Sequence, residues 1–270
     1  MKRMIRLLTF LAATITLTAC LDATTIVKVK PDGSGTVEQV MLVNTAALKG
    51  IMPGAEKPAG PVLNQADLER MAQRMGKGVK LVSTETVKAA NGFEGTKAIY
   101  AFDDINQIQV SQDPSMSGSS SGRLSSDPTP EDPVKFMLTR TGGTSTLTIN
   151  YIDRAPAGTV QPDRPGNQTQ APDLSNPMIM NMLKTMFQGF KVNIGLEVVG
   201  AIVKTNAEYV SGPRITLFEL DVTTLLQDEE KLKALTGKLQ PGMTLSEVRP
   251  LLKDMNGVKI DGPSITVEFK

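Results

Sequence analysis

Thr24-Thr25-Ile26-Val27-Lys28-Val29-Lys30, Pro31-Asp32-Gly33-Ser34-Gly35 and Thr36-Val37-Glu38-Gln39-Val40-Met41-Leu42-Val43 follow one another without interruption. The first segment is rich in β-branched residues and sets apolar positions against lysines, the pattern of a strand. Asp-Gly in the middle supplies the positive φ that a tight reversal needs. The third segment alternates Val37, Gln39 and Met41 with Glu38, Val40 and Leu42. The stretch therefore predicts a β-hairpin, and the fold is expected to grow from an antiparallel sheet.

The segment before the hairpin is of a different kind. Lys2, Arg3 and Arg6 precede an apolar run from Leu7 to Leu17, which is of secretory-signal length. That run is far shorter than the roughly 20 residues of a membrane-spanning helix. Leu17-Thr18-Ala19-Cys20 closes it and reads as the lipobox of a bacterial lipoprotein, cleaved between Ala19 and Cys20. Cys20 is the chain's one cysteine. Its thiol is the most nucleophilic side chain available for alkylation by diacylglycerol. Two or three buried acyl chains anchor a protein stably where one holds it marginally. The expected modification is a covalent diacylglycerol with an N-acyl (palmitate-type) lipid on Cys20. Leu21 rather than Asp follows Cys20, and the enterobacterial sorting pattern that this resembles implies the outer membrane, periplasmic face, over the inner membrane. Only Leu21 to Ala23 separate Cys20 from the expected strand, a reach of about 10 Å when extended. The folded body is thus expected against the lipid headgroups.

Removing Lys2, Arg3 and Arg6 with the signal peptide leaves 26 basic against 28 acidic residues. No basic run with interleaved aromatics occurs, which argues against nucleic acid as a partner. With Cys20 acylated no disulfide can form, so the core alone must hold the fold. The chain has no histidine, the commonest general base and zinc ligand. Gly33-Ser34-Gly35 lacks the flanks of a nucleophile elbow. Asp103 and Asp104 are adjacent, and on a strand would point to opposite faces. Asp32 with Glu38 falls short of a calcium loop. No enzyme activity, metal or further cofactor is expected.

Beyond the hairpin, Asn44 or Thr45 can cap a short helix through Met52, before a Pro/Gly loop over 53–61. Asn64 caps an amphipathic helix with Leu68, Met71, Ala72 and Met75 on one face, stopped by Gly76 and Gly78. Strands over 79–89 and 96–102 follow, turned at Asn91-Gly92. Two polar stretches, 111–133 and 154–176, are too poor in apolar residues to offset their ordering entropy and are expected as disordered loops. Between them Val134 to Arg140 and Thr144 to Ile152 predict a second hairpin around Gly142-Gly143.

Pro177 opens a methionine-rich helix, and Met178, Met182, Leu183, Met186 and Phe187 on it form a possible wall for an apolar ligand, since methionine repacks easily. The alternative is a helix buried between sheet and loops. Strands are expected over 191–204 and 214–222, a helix over 225–239, and a capping box at Thr244-Leu245-Ser246-Glu247. Pro250 should break the helix that follows. Val258 to Ile260 and Ser264 to Phe269 should form a last hairpin.

Val198-Val199-Gly200 through Thr205-Asn206-Ala207, then Gly212 and Ile215 to Leu220, resembles the closing strand pair of the LppM-like lipoprotein domain. With Cys20, the first strand and the Asp32-Gly33-Ser34-Gly35 turn, the resemblance covers about a third of the chain. It departs at Val199, where that pattern favours proline, and at Phe218, where it favours tryptophan. The resemblance implies an envelope domain proposed to bind lipid.

The expected protein is α+β, a mainly antiparallel β-sheet with helices packed on one face and two long loops. Residues 1–19 are the signal peptide, 20–240 the lipoprotein domain and 241–270 a C-terminal helix plus β-hairpin extension. Its expected role is non-enzymatic, in the cell envelope and held to the membrane by its lipid anchor. It binds lipid or another apolar ligand, or alternatively scaffolds an envelope protein complex.

Overall fold

The structure, a computed structural model, describes residues 21–44, 63–89, 92–111, 133–151, 176–236, 238 and 243–270. The segment expected as a signal peptide, the helix expected over 45–52 with its following loop, and the interiors of the two polar loops lie outside the described residues.

The fold is α+β and mostly antiparallel. The hairpin forms as expected from β1 (Leu21–Val29) and β2 (Gly35–Asn44), with Val27 opposite Val37. Its turn is held by the Asp32 carboxylate, which accepts from the Ser34 amide at 2.9 Å and hydroxyl at 2.7 Å. Gly33 sits at φ 84°, where a side chain would be strained.

Helix α1 (Gln65–Met75) begins where the Asn64 side chain accepts from the Asp67 amide at 2.9 Å. It buries Leu68, Met71, Ala72 and Met75, the face its periodicity predicts. Strands β3 (Lys80–Lys88) and β4 (Phe93–Phe102) pair antiparallel, and a 3-10 turn (Ile105–Gln107) leads into β5 (Gln109–Ser111). The second hairpin is β6 (Pro133–Thr141) with β7 (Thr144–Tyr151). After α2 (Pro177–Met186) come β8 (Lys191–Val198), β9 (Ile202–Thr205), β10 (Val210–Ser211) and β11 (Arg214–Asp221). Helices α3 (Val222–Leu225), α4 (Glu229–Thr236) and α5 (Leu245–Leu252) precede β12 (Val258–Ile260) and β13 (Ser264–Phe269).

These strands make two sheets. The first runs β10-β11-β8-β1-β2-β4-β3, with β12 also on β11; the second runs β5-β6-β7-β13-β9. In the first, β1 and β8 pair in parallel while β1 and β2 pair antiparallel, which puts β1 at the centre. Val27, Val37, Tyr100 and Leu196 of the first sheet share one core with Phe136, Leu147, Ile149, Ile265 and Phe269 of the second and with the buried face of α1. Ile265, Val267 and Phe269 are fully buried, and each such side chain stabilises the fold by roughly 1.5–3 kcal/mol. The opposite face of the first sheet carries crossed charges: Lys97 and Glu38 at 3.1 Å, Lys28 and Glu197 at 3.7 Å, Lys259 and Glu219 at 3.1 Å.

Four sequence expectations change. The single strand over 191–204 is two strands in different sheets. The chain crosses at Val199-Gly200-Ala201, where Gly200 adopts φ 135° and a Cβ would lie 2.0 Å from the Lys270 carbonyl. The last hairpin does not form either. β12 pairs with β11, whereas β13 pairs between β7 and β9, because its alternate apolar residues fill the inter-sheet core. The helix over 225–239 is split by the Asp221 and Asp228 side chains, which accept from the amides of Thr224 and Lys231 and start separate helices. Pro250 lies inside α5 without ending it, since the ladder resumes past its ring with Lys253 N–H donating to the Arg249 carbonyl at 3.0 Å. The capping box is present as expected, with the Glu247 carboxylate 2.7 Å from the Thr244 amide.

Candidate functional site

Cys20 and Ala19 lie outside the described residues, but β1 begins at the very next position, Leu21. Leu21 pairs with Val43 of β2, and Asp22 pairs with Lys191 of β8. From Asp22 onward the chain is paired on both sides, with β2 and β8. Asp22 is partly buried here; desolvation raises its pKa, Lys191 opposes that, and Asp221 adds to it.

The methionine helix leads into this same end. Asn176 caps it, accepting from the Met178 amide at 2.9 Å, with Pro177 in the first turn. Beyond its C-terminus Gly189 donates to the Thr223 hydroxyl at 2.8 Å, and a Cβ on Gly189 would lie 2.6 Å from the Phe93 ring. Phe93 pairs with Asn44, at the end of the sheet that carries Leu21. Phe187 and Phe190 pack edge to face with centroids 6.0 Å apart.

The residues expected to line an apolar wall separate. Leu183 and Phe187 pack against a second core made by Met180, Leu226, Leu232, Leu235, Met255, Val258 and Ile260. Met178 and Met182 are 79% and 54% exposed instead. The side chain of Met186 lies outside the description. The buried anchor of this helix is Met180, at 2% exposure, and an ion pair of Lys184 with Glu229 at 2.6 Å ties its flank to α4. That pairing holds the Glu229 pKa below its ordinary range.

A cleft of about 580 Å³ lies elsewhere, between the start of α1 and the edge strand β3. Leu63 and Leu68 form one wall, Leu81 and Thr84 to Thr86 the other, and Thr96 of β4 also lines it. Thr96 is 4% exposed, yet its hydroxyl has no hydrogen-bond partner. The Gln39 Oε1 is also buried without a partner. By register, Gln39, Ala98 and Thr84 follow one another across the sheet, and Met41, Thr96 and Thr86 form the next row. A polar strip thus interrupts an otherwise apolar sheet face. Sequence reasoning assigns β3 as a strand but does not mark this site. The available signal is Ser83-Thr84-Glu85-Thr86, polar on both faces, which is what an edge strand shows.

Asp104, one of the adjacent pair, and the buried Asp261 both have structural work. Asp104 caps the 3-10 turn, accepting from the Asn106 amide at 3.0 Å. Asp261, at 3% exposure, accepts from the amides of Glu208 at 3.0 Å and Gly262 at 2.7 Å. Burial raises its pKa against those bonds. Among the described residues no cluster of three or more acidic or cysteine side chains could hold a metal ion, and no helix is long and apolar enough to cross a membrane.

No protein-family model and no curated protein matches this sequence. Among solved structures, the fold is weakly similar to the NMR structure of the folded domain of LppM from Mycobacterium tuberculosis. The identity is 12%, the match covers 94% of this chain and 91% of that one, and the TM-score is 0.36. A likeness of that size carries nothing about function.

Proposed function

We propose that this chain is a non-enzymatic envelope lipoprotein, acylated on Cys20, whose body docks a partner protein at the membrane surface. One observation carries the reading: the strand that starts directly after Cys20 is the central strand of the larger sheet. A tether of no free length holds the end bearing Leu21, Phe93 and Lys191 against the headgroups, and two or three acyl chains make that attachment stable. Leu21 at the sorting position favours the outer membrane. The packing of Met180, Leu183 and Phe187 against Leu226, Leu232 and Met255 turns these three residues inward, which supports docking over a lipid wall built from the methionine helix.

Cys20→Ser, placed behind a conventional secretory signal that is cleaved without a lipobox, tests the anchor. Wild-type protein should sediment with membranes and resist high-salt washing, while the variant should move to the soluble fraction with an unchanged melting temperature. A variant that still sediments, or a wild type that washes off, would overturn the proposal.

A further inference from the structure

The longer helices differ in what they show to solvent. α1 exposes Glu69 and Arg70, α4 exposes Glu230, Lys231 and Lys233, and α5 exposes Glu247. The exposed residues of α2 are Pro177, Met178, Asn181, Met182 and Thr185, and none carries a charge. Its one charged residue, Lys184, is half-buried and paired with Glu229 of α4. Met178 and Met182 stand one turn apart, and among the described residues no other helix exposes a large apolar side chain. An uncharged face with paired apolar side chains marks a contact surface.

The place of this helix says what covers the face. Only residues 187–190 separate Met186 from Lys191, which pairs with Asp22, the second residue after Cys20. That short link is fixed in position. The Phe190 carbonyl accepts from the Val222 amide at 3.0 Å, and Val222 follows Asp221, which also pairs with Lys191. α2 therefore ends at the row of the first sheet that adjoins Cys20. We propose that the occupant of the α2 face is the bilayer itself, with Met178 and Met182 entering the boundary between headgroups and acyl chains beside the anchor. This contact presupposes the acylation of Cys20 proposed above and adds a second point of attachment. Helix faces at such an interface sit about 5–10 Å deep, and methionine repacks readily against the changing surface of lipid chains. α2 is about 15 Å long, so both methionines lie within one helix length of the anchored row. A lone tether leaves the body free to tilt, whereas a tether and a helix face together hold one orientation.

The test uses the full chain extracted from its membrane and returned to vesicles of phosphatidylethanolamine and phosphatidylglycerol. Flotation reads the anchor. Taurine chloramine, a charged oxidant that stays in water, then reads the face through the rate of sulfoxide formation at each methionine. Met137 is the internal reference. It is 53% exposed on β6, and its neighbour Leu138 approaches Gly33, in the turn that β1 holds about 25 Å from Leu21. Burial of one methionine side chain favours the inserted state about tenfold, so Met178 and Met182 should oxidise slower than Met137 by about that factor. In the soluble Cys20→Ser chain all three should oxidise at comparable rates. Met178→Glu changes a site that is 79% exposed and leaves the core untouched; it should return Met182 to the rate of Met137. A chain that floats with the vesicles but oxidises at Met182 as fast as at Met137 would overturn the bilayer contact and leave the anchor standing. Protection retained in Cys20→Ser, which a second copy seated on the face would give, or retained at Met182 in Met178→Glu, would overturn it too. A wild-type chain that does not float removes the anchor, and the contact with it.

Discussion

Shortening Phe269 to alanine removes a fully buried ring from β13, where it lies opposite Ser145 of β7 and Ile202 of β9. Were the last strand part of an appended hairpin, the loss would fray one end of the chain. As the structure has it, β13 is an interior strand of the second sheet, and its apolar residues share a core with Tyr100 and Leu196 of the first. A phenylalanine-to-alanine change in such a core costs about 3–5 kcal/mol, the lost transfer energy plus the cavity left behind. For a domain of this size each kcal/mol moves the melting temperature by about 2–4 °C, so the expected drop is roughly 6–20 °C. Thermal melting of the purified chain, followed by circular dichroism, measures it. Val203→Ala, at a position 55% exposed on β9, is the control and should stay within about 0.5 kcal/mol of wild type. A Phe269→Ala protein that melts with the control, or loses only a minor early phase, would refute the two-sheet core.

Gly200→Ala should be destabilising despite its small size. The residue sits at φ 135° and its new Cβ would meet the Lys270 carbonyl at 2.0 Å. Strain of this kind costs of order 1–3 kcal/mol, and an unchanged melt would deny the crossing between sheets. In carboxyl NMR titrations Asp22 and Asp261 should titrate above the usual 3.8, because burial favours their protonated forms. Their contribution to stability is therefore greatest below 3.8 and is lost as pH rises through the folded values. Asp32 should titrate below 3.8, held down by its Ser34 hydrogen bonds, and its contribution is lost as pH falls through that lower value. The reverse order of midpoints would contradict the assigned burial and bonding.

The local elements were legible because each carries its own signal. Asn64 and the apolar spacing of α1 mark that helix, Asp-Gly marks the first turn, and the Thr244 to Glu247 box marks α5. What the sequence hides is partnership. The alternation in Val258 to Ile260 and in Ser264 to Phe269 shows two strands but not that their buried faces belong to different sheets. Gly200 reads as one glycine among many until Lys270 is seen against it. The methionine helix shows apolar residues around most of its surface, so its pattern could not choose Met180 for the core and leave Met178 to solvent. The α1–β3 cleft is hidden for the same reason: it joins residues from three elements, and an unpaired hydroxyl on Thr96 exists only once its neighbours are placed.

The proposed attachment depends on the chemistry of one thiol, Cys20, and on the strand that starts beside it. The intact mass of the N-terminal peptide from protein extracted from its native membrane reads that chemistry directly. The expected peptide begins at Cys20 and carries the added mass of a diacylglyceryl group and an amide-linked acyl chain. A peptide that begins at Met1, or one that begins at Cys20 with an unmodified thiol, would contradict it.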